Sequence, residues 1–298
     1  MDLRDLRYFE TIAELEHVGK ATEKLHRTQP ALTSCIRRLE EACGAPLFEK
    51  AGRGIKLTPA GKVLLKWAKR LRLDADEARR EMQDIGRGLS GHIRLGIVPT
   101  AAQFLLPPAV RELMLQAPDV TLKTVVGLVD TLRPQLRAGE LDLVIGTESP
   151  PEPGLVSQPL AHDHIVVAAC AQHELLQRKA SIQDLCQYRW VLQPPGAPTR
   201  DWLDQAFDRK KLPRPVVQVE STMLLMLPSL IAETGLLSFI SRQHLTTGDT
   251  QGRQLCEIPI PAVTMERRLV VTHRADSYVS PAAELLMVLL GQAAQSSG

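Results

Sequence analysis

Long apolar runs are missing from this chain of 298 residues. No stretch approaches the roughly eighteen apolar residues of a membrane-spanning helix, and the first residues lack the basic-then-apolar order of a secretion signal. The five cysteines are odd in number and none lies close to another in sequence: Cys35, Cys43, Cys170, Cys186 and Cys256. We therefore expect reduced thiols, a cytoplasmic location and no membrane partner.

The motifs of common enzymes are also missing. No glycine-rich phosphate loop, serine nucleophile elbow, zinc-binding helix or catalytic carboxylate pair is present. His162-Asp163-His164 could suggest a metal site, but no cysteine or carboxylate follows at ligand spacing. We interpret these three residues as solvated side chains where the chain crosses between domains. The sequence predicts no enzyme, no metal and no cofactor.

Apolar residues are plentiful, because the hydrophobic fraction of 44% is enough for more than one core. Residues 1–90 carry 18 Lys and Arg against 14 Asp and Glu, a net charge of +4. The whole chain has a net charge of +2, so the remaining residues carry −2. This basic excess is consistent with nucleic-acid binding by the N-terminal part, although charge alone does not establish it.

Residues 28–40 have the pattern of a helix that enters the major groove. Thr28 can cap such a helix and Pro30 can lie in its first turn. Leu32, Ile36 and Leu39 recur at helical spacing and predict the buried face. The opposite face is polar and then cationic, which suits base edges and phosphates. The predicted DNA contacts are Thr28, Gln29, Pro30, Thr33, Ser34, Arg37, Lys50 and Arg53.

The neighbouring segments favour a winged helix-turn-helix over an ordinary amphipathic surface helix. Residues 5–15 and 20–26 predict two helices followed by a tight turn. Residues 46–50 and 54–58 predict two short strands, and the turn between them would hold Arg53 outwards as a wing.

Five segments at fixed spacing resemble LysR-type transcriptional regulators. They are residues 21–25 (ATEKL), 28–33 (TQPALT), 36–41 (IRRLEE), 44–50 (GAPLFEK) and 57–61 (LTPAG). The resemblance covers about residues 3 to 62 without a gap. Thr22 departs from the family, which usually has Ala there, and Ser34-Cys35 replaces a longer polar pair. Because position 34 often touches DNA in the family, the base preference cannot be carried over.

A long helix is predicted from Thr58-Pro59 to about residue 84 or 85. Its apolar residues alternate at spacings of three and four, a heptad pattern that favours pairing with a partner chain. These seam residues are Leu64, Trp67, Leu71, Ala75, Ala78, Met82, Ile85 and Leu89. The predicted dimer contacts among them are Leu64, Trp67, Leu71, Ala78 and Met82. Residues 86–91 (GRGLSG) predict a hinge. The resemblance implies the same dimer, and a dimer of dimers through the C-terminal domains.

Strand-like and helix-like segments alternate from residue 91 onwards, and the first three strands with their helices predict a mostly parallel α/β sheet with covered faces. The predicted strands are residues 93–97, 120–126, 141–145, 165–170, 190–192, 216–219, 236–240 and 268–272. The predicted helices are residues 101–116, 131–137, 182–186, 200–207, 222–233 and 281–290. The resemblance implies a two-lobed effector domain crossed by two strands, of the type 2 periplasmic-binding-protein-like kind.

Ligands of such lobes bind at the carboxyl ends of strands, beside helix N-termini. The predicted effector contacts are Thr100, Gln103, Thr147, Thr199 and Thr222. Each threonine could instead be an ordinary helix cap, and Thr100 is favoured because strand position and resemblance agree on it. Hydroxyl groups and helix N-termini favour a small anion such as a carboxylate metabolite.

The predicted fold is α/β with an N-terminal all-α winged helix-turn-helix. The domains are residues 1–58 (DNA-binding), 59–90 (linker helix and hinge) and 91–298 (effector domain). Lobe I would hold about residues 91–162 and 268–298, and lobe II about 163–267.

The predicted function is ligand-responsive regulation of transcription. The expected partners are double-stranded DNA with an inverted-repeat operator, a small effector, further copies of the chain and RNA polymerase. Three other classes stay open. A solute-binding protein would need an export signal and would lack residues 1–62. A metabolic enzyme would need a catalytic set in the cleft, and a nucleoid-architectural protein would not need the effector domain.

Overall fold

The computed structural model describes residues 2–52, 54–84, 89–247 and 254–296. The chain divides into two compact units, Met1–Gly86 and Arg87–Gly298. Within the described ranges, no helix is both long and apolar enough to cross a membrane. Arg53, Ile85 and residues 86–88 of the predicted hinge lie outside the described residues.

The first unit is a helical head with a β-hairpin and one long helix. Its elements are α1 (Leu3–Leu15), α2 (Val18–Leu25), α3 (Gln29–Cys43), β1 (Phe48–Ala51), β2 (Gly54–Leu57) and α4 (Pro59–Asp84). Phe9, Leu39 and Leu47 are fully buried at its centre. The start of α4 packs so closely on this core that a Cβ on Gly61 would lie 2.1 Å from the Leu47 carbonyl oxygen. Only glycine allows that approach, so the long helix is fixed to the head at its N-terminus.

Helices α1 and α2 each begin two residues before their predicted starts. The Asp2 carboxylate accepts a hydrogen bond from the Asp5 N–H (2.7 Å), which caps α1. His17 Nδ1 accepts from the Lys20 N–H (3.3 Å), which caps α2. Helices begin directly after their capping side chains, so the caps Asp2 and His17 place the starts at Leu3 and Val18 instead of Asp5 and Lys20.

The second unit contains a seven-stranded mixed sheet and a separate two-stranded sheet. Its strands are β3 (Gly91–Ile97), β4 (Val120–Val126), β5 (Leu143–Thr147), β6 (Leu155–Cys170), β7 (Arg189–Leu192), β8 (Val216–Glu220), β9 (Ser238–Ser241), β10 (Leu255–Glu257) and β11 (Met265–Arg274). Its helices are α5 (Pro99–Gln116), α6 (Val129–Arg137), α7 (Pro198–Arg209), α8 (Leu227–Thr234), α9 (His244–Thr247) and α10 (Pro281–Ser296). The large sheet has the order β10-β6-β11-β5-β3-β4, with β9 also paired to β6.

Two long strands join two hydrophobic cores and create the lobes. Strand β6 contributes Ala161 to the border of the first core and Ile165 to the second. Strand β11 contributes Leu269 to the first core and Met265 to the border of the second. The two strands pair antiparallel along their length. The two-lobed arrangement crossed by two strands is therefore confirmed.

The expectation of a mostly parallel sheet holds for β3, β4 and β5, the strands on which it rested, but not for the whole seven-stranded sheet. Strand β3 runs parallel to β4 and β5, but β6 and β11 run antiparallel to every strand with which they pair. The chain was expected to leave the first lobe near residues 162–164, and β6 passes through these residues without interruption, from Ala161 beside the first core to Ile165 in the second. A strand that crosses between lobes continues through both of them, so its sequence shows no turn at the crossing.

Two predicted helices are largely replaced by shorter elements. Residues 222–233 form a 3-10 turn, Leu224–Met226, and then α8, while residues 182–186 give way to the 3-10 turn Asp184–Gln187. Pro228 lies in the first turn of α8, where its missing N–H is tolerated but would break a longer helix. The strand predicted at 141–145 is shifted to Leu143–Thr147, because Asp142 pairs with Arg94 instead of entering the strand core.

Candidate DNA-binding surface and ligand cleft

Helix α3 exposes the polar face that the sequence predicts and buries the apolar one. Leu32 and Leu39 are fully buried, whereas Gln29, Thr33 and Arg37 are exposed. Thr28 has the extended backbone of an N-cap, but its side chain makes no capping hydrogen bond. Its hydroxyl group therefore stays available at the beginning of the helix.

The hairpin that follows is held against the helices. The Leu47 N–H donates to Glu40 Oε1 (2.8 Å), and the Ile55 N–H donates to the Glu16 carbonyl (3.0 Å). Lys50 lies exposed on β1, opposite Ile55. The hairpin thus has a fixed position beside α3, as a wing requires.

A buried carboxylate connects α1 to the exposed face of α3. Arg38 donates from Nη2 to Asp5 Oδ1 (2.7 Å) and from Nε to Oδ2 (3.2 Å). Arg38 Nη1 donates to the Ser34 hydroxyl (3.2 Å). The paired guanidinium lowers the pKa of Asp5. Ser34, a predicted DNA contact, is therefore hydrogen-bonded within the head before DNA is present.

Cys35 lies beneath this network as a buried thiol. Its side chain is 1% exposed, and its Sγ donates to the Asp5 carbonyl (3.5 Å). Burial, with the nearby Asp5 carboxylate, raises the pKa of the thiol to about 12. A thiol in this state is unreactive, which favours a packing role over a redox switch.

The exposed seam residues of α4 include large apolar side chains. Trp67 is 58% exposed, Leu71 38% and Met82 74%, and Ala78 is also exposed. Leu64 differs, because it is buried in the core of its own head. A contact of Leu64 with a partner chain is therefore not supported by the structure.

A cavity of about 520 Å³ opens between the two lobes. It is lined by Thr147 and Glu148 at the end of β5, by Pro198 and Thr199 at the start of α7, and by β11 residues 265–268. Two of the five predicted effector contacts, Thr147 from lobe I and Thr199 from lobe II, therefore face one space.

Arg267 in this cleft and Arg200 next to it are tightly paired with buried carboxylates. Arg267 donates to the buried Asp163 carboxylate from Nε (2.8 Å) and Nη2 (2.7 Å). Arg200 pairs with Asp204 through Nε (3.0 Å). Arg268 is more open, since its Nη1 lies 3.6 Å from Glu148 Oε1 and half of its side chain is exposed.

The other predicted effector contacts do not line this cavity. Thr100 lies in the first turn of α5 and is 6% exposed. Gln103 follows one turn later, and its buried Oε1 has no hydrogen-bond partner among the described residues. Thr222 is exposed and precedes only a 3-10 turn, so it does not cap the long helix that was predicted.

The interpretation of residues 162–164 as solvated is wrong for Asp163. Its side chain is fully buried and accepts from the Ser241 hydroxyl (2.6 Å) as well as from Arg267. Strand alternation explains the difference, because Asp163 points to the same side as the buried Ile165 while His162 is exposed. That alternation was the available sequence signal for Asp163.

His244 is a second buried polar residue that sequence patterns did not reveal. It is 2% exposed, and neither ring nitrogen has a hydrogen-bond partner in the described structure. Burial lowers its pKa to about 4. The side chain is therefore neutral near pH 7.

Two family models match the chain in the same order as the two units. Residues 3–62 match the bacterial regulatory helix-turn-helix protein, lysR family, and residues 86–295 match the LysR substrate binding domain. The chain belongs to the LysR family of transcriptional regulators. This LysR-type regulator is a DNA-binding protein with a substrate-binding domain, and neither the family nor the relatives below are enzymes.

Relatives of this LysR-type regulator span nearly the whole chain. The HTH-type transcriptional regulator GalR of Pseudomonas putida is 29% identical over 97% of this chain and 73% of its own length. CbbR of Rhodospirillum rubrum is 28% identical over 99% of this chain and 97% of its own length.

Solved structures share the fold. Full-length OxyR from Pseudomonas aeruginosa has a TM-score of 0.70 at 24% identity, with 99% of this chain and 95% of that chain covered. Full-length CbnR, solved in complex with its target DNA, has a TM-score of 0.65 at 21% identity, with 100% of both chains covered. In the described part of the LysR-type regulator, no group of three or more His, Cys, Asp or Glu side chains could hold a metal ion.

Proposed function

We propose that this regulator is a cytoplasmic protein controlled by a small anionic metabolite that binds between the lobes of its C-terminal domain. The observation that carries the proposal is the shared cavity of Thr147 and Thr199. A ligand that touches both lobes binds one lobe arrangement more tightly than another. It can therefore shift the protein between arrangements by that difference in affinity.

The chemistry of the cavity favours an anionic group on the ligand. Helix α7 begins at Pro198, so the N–H groups of Thr199 and Arg200 stand at the positive end of a twelve-residue helix. The Thr199 hydroxyl donates to Gln193 Oε1, so its oxygen can still accept from a donor group of the ligand, while the helix N–H groups would donate to the anionic group. Because Arg267 and Arg200 are paired, Arg268 is the side chain best able to add positive charge.

The proposed DNA contacts are those on α3 and on the wing. Gln29, Pro30, Thr33 and Ser34 would approach base edges, whereas Arg37 and Lys50 would contact phosphates. The exposure of Gln29, Pro30, Thr33 and Arg37 on α3 and of Lys50 on the wing, with Ser34 half-buried beside them, supports this assignment. The fold shared with DNA-bound CbnR supports it further. Pairing through α4 would give a homodimer on an inverted repeat, and the C-terminal domains would allow a dimer of dimers.

The ligand proposal is tested by screening the full-length protein against a metabolite library for a shift in melting temperature. Hits are then titrated by calorimetry with the wild type and with Thr199→Val. Loss of one hydrogen-bonding group in the cavity should weaken binding by about 1–3 kcal/mol. Thr222→Val is the matched control, because Thr222 is exposed and outside the cavity. If Thr199→Val binds the metabolite as tightly as the wild type does, the metabolite does not bind in this cleft.

The DNA proposal is tested by footprinting on genomic fragments, followed by binding measurements on the protected site. Gln29→Ala should cost about 1–3 kcal/mol on that site and little on random DNA. Lys50→Ala should weaken binding to all sequences and reduce the slope of the salt dependence by about one unit. Equal loss on specific and random DNA for Gln29→Ala would refute its assignment to base edges.

A further inference from the structure

The hydrogen bond between Arg38 and Ser34 gives the Ser34 hydroxyl a direction. A serine hydroxyl has one O–H donor and two lone pairs, and it normally rotates to suit either kind of partner. Here one lone pair accepts the Arg38 N–H at 3.2 Å. The hydrogen of the hydroxyl must then point away from the guanidinium.

Arg38 is itself held in place from below. Asp5 is 5% exposed and binds the guanidinium through both carboxylate oxygens, at 2.7 and 3.2 Å. This charge-assisted, two-point contact fixes the plane of the guanidinium. The positive charge draws electron density from the Ser34 oxygen, which strengthens its O–H as a donor and weakens its second lone pair as an acceptor.

We propose that Ser34 contacts DNA only as a hydrogen-bond donor, and that Asp5 and Arg38 are the positioning residues that impose this direction. The proposal rests on the assignment of α3 to the major groove in the proposed function. In that groove guanine, adenine and thymine present acceptor atoms, whereas cytosine presents only its amino donor. Ser34 therefore selects against cytosine at the base that it contacts.

Thr33 provides an internal contrast on the same face. It is exposed, and within the described structure its hydroxyl makes no hydrogen bond. Its hydroxyl can donate or accept a hydrogen bond. We therefore expect Thr33 not to discriminate between donor and acceptor groups on the base that it contacts.

The first experiment locates and characterises the base contacted by Ser34. All single-base variants of the footprinted operator are measured with wild type and Ser34→Ala, and the position at which discrimination is lost is assigned to Ser34. There, cytosine should bind about three- to tenfold more weakly than the other bases in wild type, and equally in Ser34→Ala. Replacing a purine N7 by carbon, or a thymine by its analogue without O4, should remove the advantage in wild type only.

The second experiment tests the positioning residues. The double variant Asp5→Asn, Arg38→Met removes both charges together, so no unpaired carboxylate stays buried. In this double variant the Ser34 hydroxyl can rotate and accept from the cytosine amino group. The ratio of the affinities for the other bases and for cytosine should therefore fall towards one. Discrimination at the position assigned through Thr33→Val should not change. A variant that loses affinity on every sequence, with the cytosine ratio preserved, would show that the network is only structural.

Two further outcomes would overturn the donor assignment itself. One is a wild-type preference for cytosine at the Ser34 position, and the other is an equal loss on all sequences for Ser34→Ala. Gln29→Ala separates this failure from failure of the proposed function. If Gln29→Ala still loses specificity, α3 contacts bases and only the inference about Ser34 is wrong.

Discussion

At the scale of single residues, Asp5 is a buried carboxylate balanced by the half-exposed Arg38. Its pKa is lowered in the folded protein, chiefly by the hydrogen bonds from Arg38. The pair therefore stabilises the head above about pH 4, and this stabilisation is lost as pH falls through the lowered pKa. We predict that Asp5→Asn lowers the free energy of unfolding by about 1–3 kcal/mol at pH 7. Urea unfolding measures this effect.

The control for Asp5 is an ion pair on the surface of the same head. Arg37 and Glu41 are both exposed and lie 3.6 Å apart. Glu41→Gln should change stability by less than about 1 kcal/mol. If Asp5→Asn costs no more than Glu41→Gln at pH 7, the Asp5–Arg38 pair does not stabilise the head.

The buried His244 should make the stability of the second unit depend on pH. Its pKa falls to about 4 on folding because of burial, so the unfolded chain binds a proton that the folded chain does not. Stability should then be full above about pH 6.5, the ordinary His value, and decline towards pH 4. Between pH 8 and pH 5 the expected loss is about 2 kcal/mol. His244→Phe should abolish this part of the slope.

Fluorescence can follow this unfolding in a Trp67→Phe background, because Trp190 and Trp202 then report only on the second unit. The exposed His162 gives the control, and His162→Asn should keep the wild-type pH dependence. An identical slope for His244→Phe and wild type would show that other groups cause the acid sensitivity.

At the scale of whole elements, the exposed apolar side chains of α4 indicate that this helix pairs with α4 of a second chain. Trp67, Leu71 and Met82 are exposed on a helix of 26 residues that extends about 39 Å at 1.5 Å per residue. Leu71→Glu would bury an unpaired carboxylate from each chain in the proposed dimer. Each such carboxylate should weaken association by roughly 3–5 kcal/mol. Sedimentation should show smaller species.

The matched control lies on the opposite side of α4. Lys62 is nine residues before Leu71, half a turn away around the axis, and it is exposed. Lys62→Glu should keep the wild-type sedimentation coefficient. If Leu71→Glu also keeps the wild-type assembly and operator affinity, the exposed seam residues do not mediate pairing.

Elements whose apolar residues recur at a regular spacing could be predicted from the sequence. Elements whose burial depends on residues far away in the chain could not. Leu32, Ile36 and Leu39 define the buried face of α3 through their spacing alone. The full length of strand β6 could not be predicted in this way. Its exposed first half and its buried second half belong to two different lobes, so no single period runs through the strand. The head shows the same limit, since Leu64 continues the heptad pattern yet packs into its own core.

At the scale of the whole molecule, the cleft depends on contacts between distant parts of the chain. Thr147 and Thr199 were each predicted from a strand end or helix start, which are local features. Their shared cavity follows from the crossing strands. Asp163 and Arg267 pair across β6 and β11, although 104 residues separate them. No local pattern predicts such a pair, and it determines which cationic groups are already neutralised in the cleft.

The proposed regulator must couple the cleft to DNA reciprocally. If the effector changes operator affinity by some factor, the operator must change effector affinity by the same factor, and a coupling of about 1–3 kcal/mol is ordinary. Calorimetry of the effector with and without operator, and operator titrations with and without saturating effector, measure both factors on the full-length protein. Thr199→Val should weaken effector binding but leave the factor at saturation unchanged, because it alters affinity rather than the two lobe arrangements. Two unequal factors for wild type would mean that the effector and the operator do not act on one shared equilibrium.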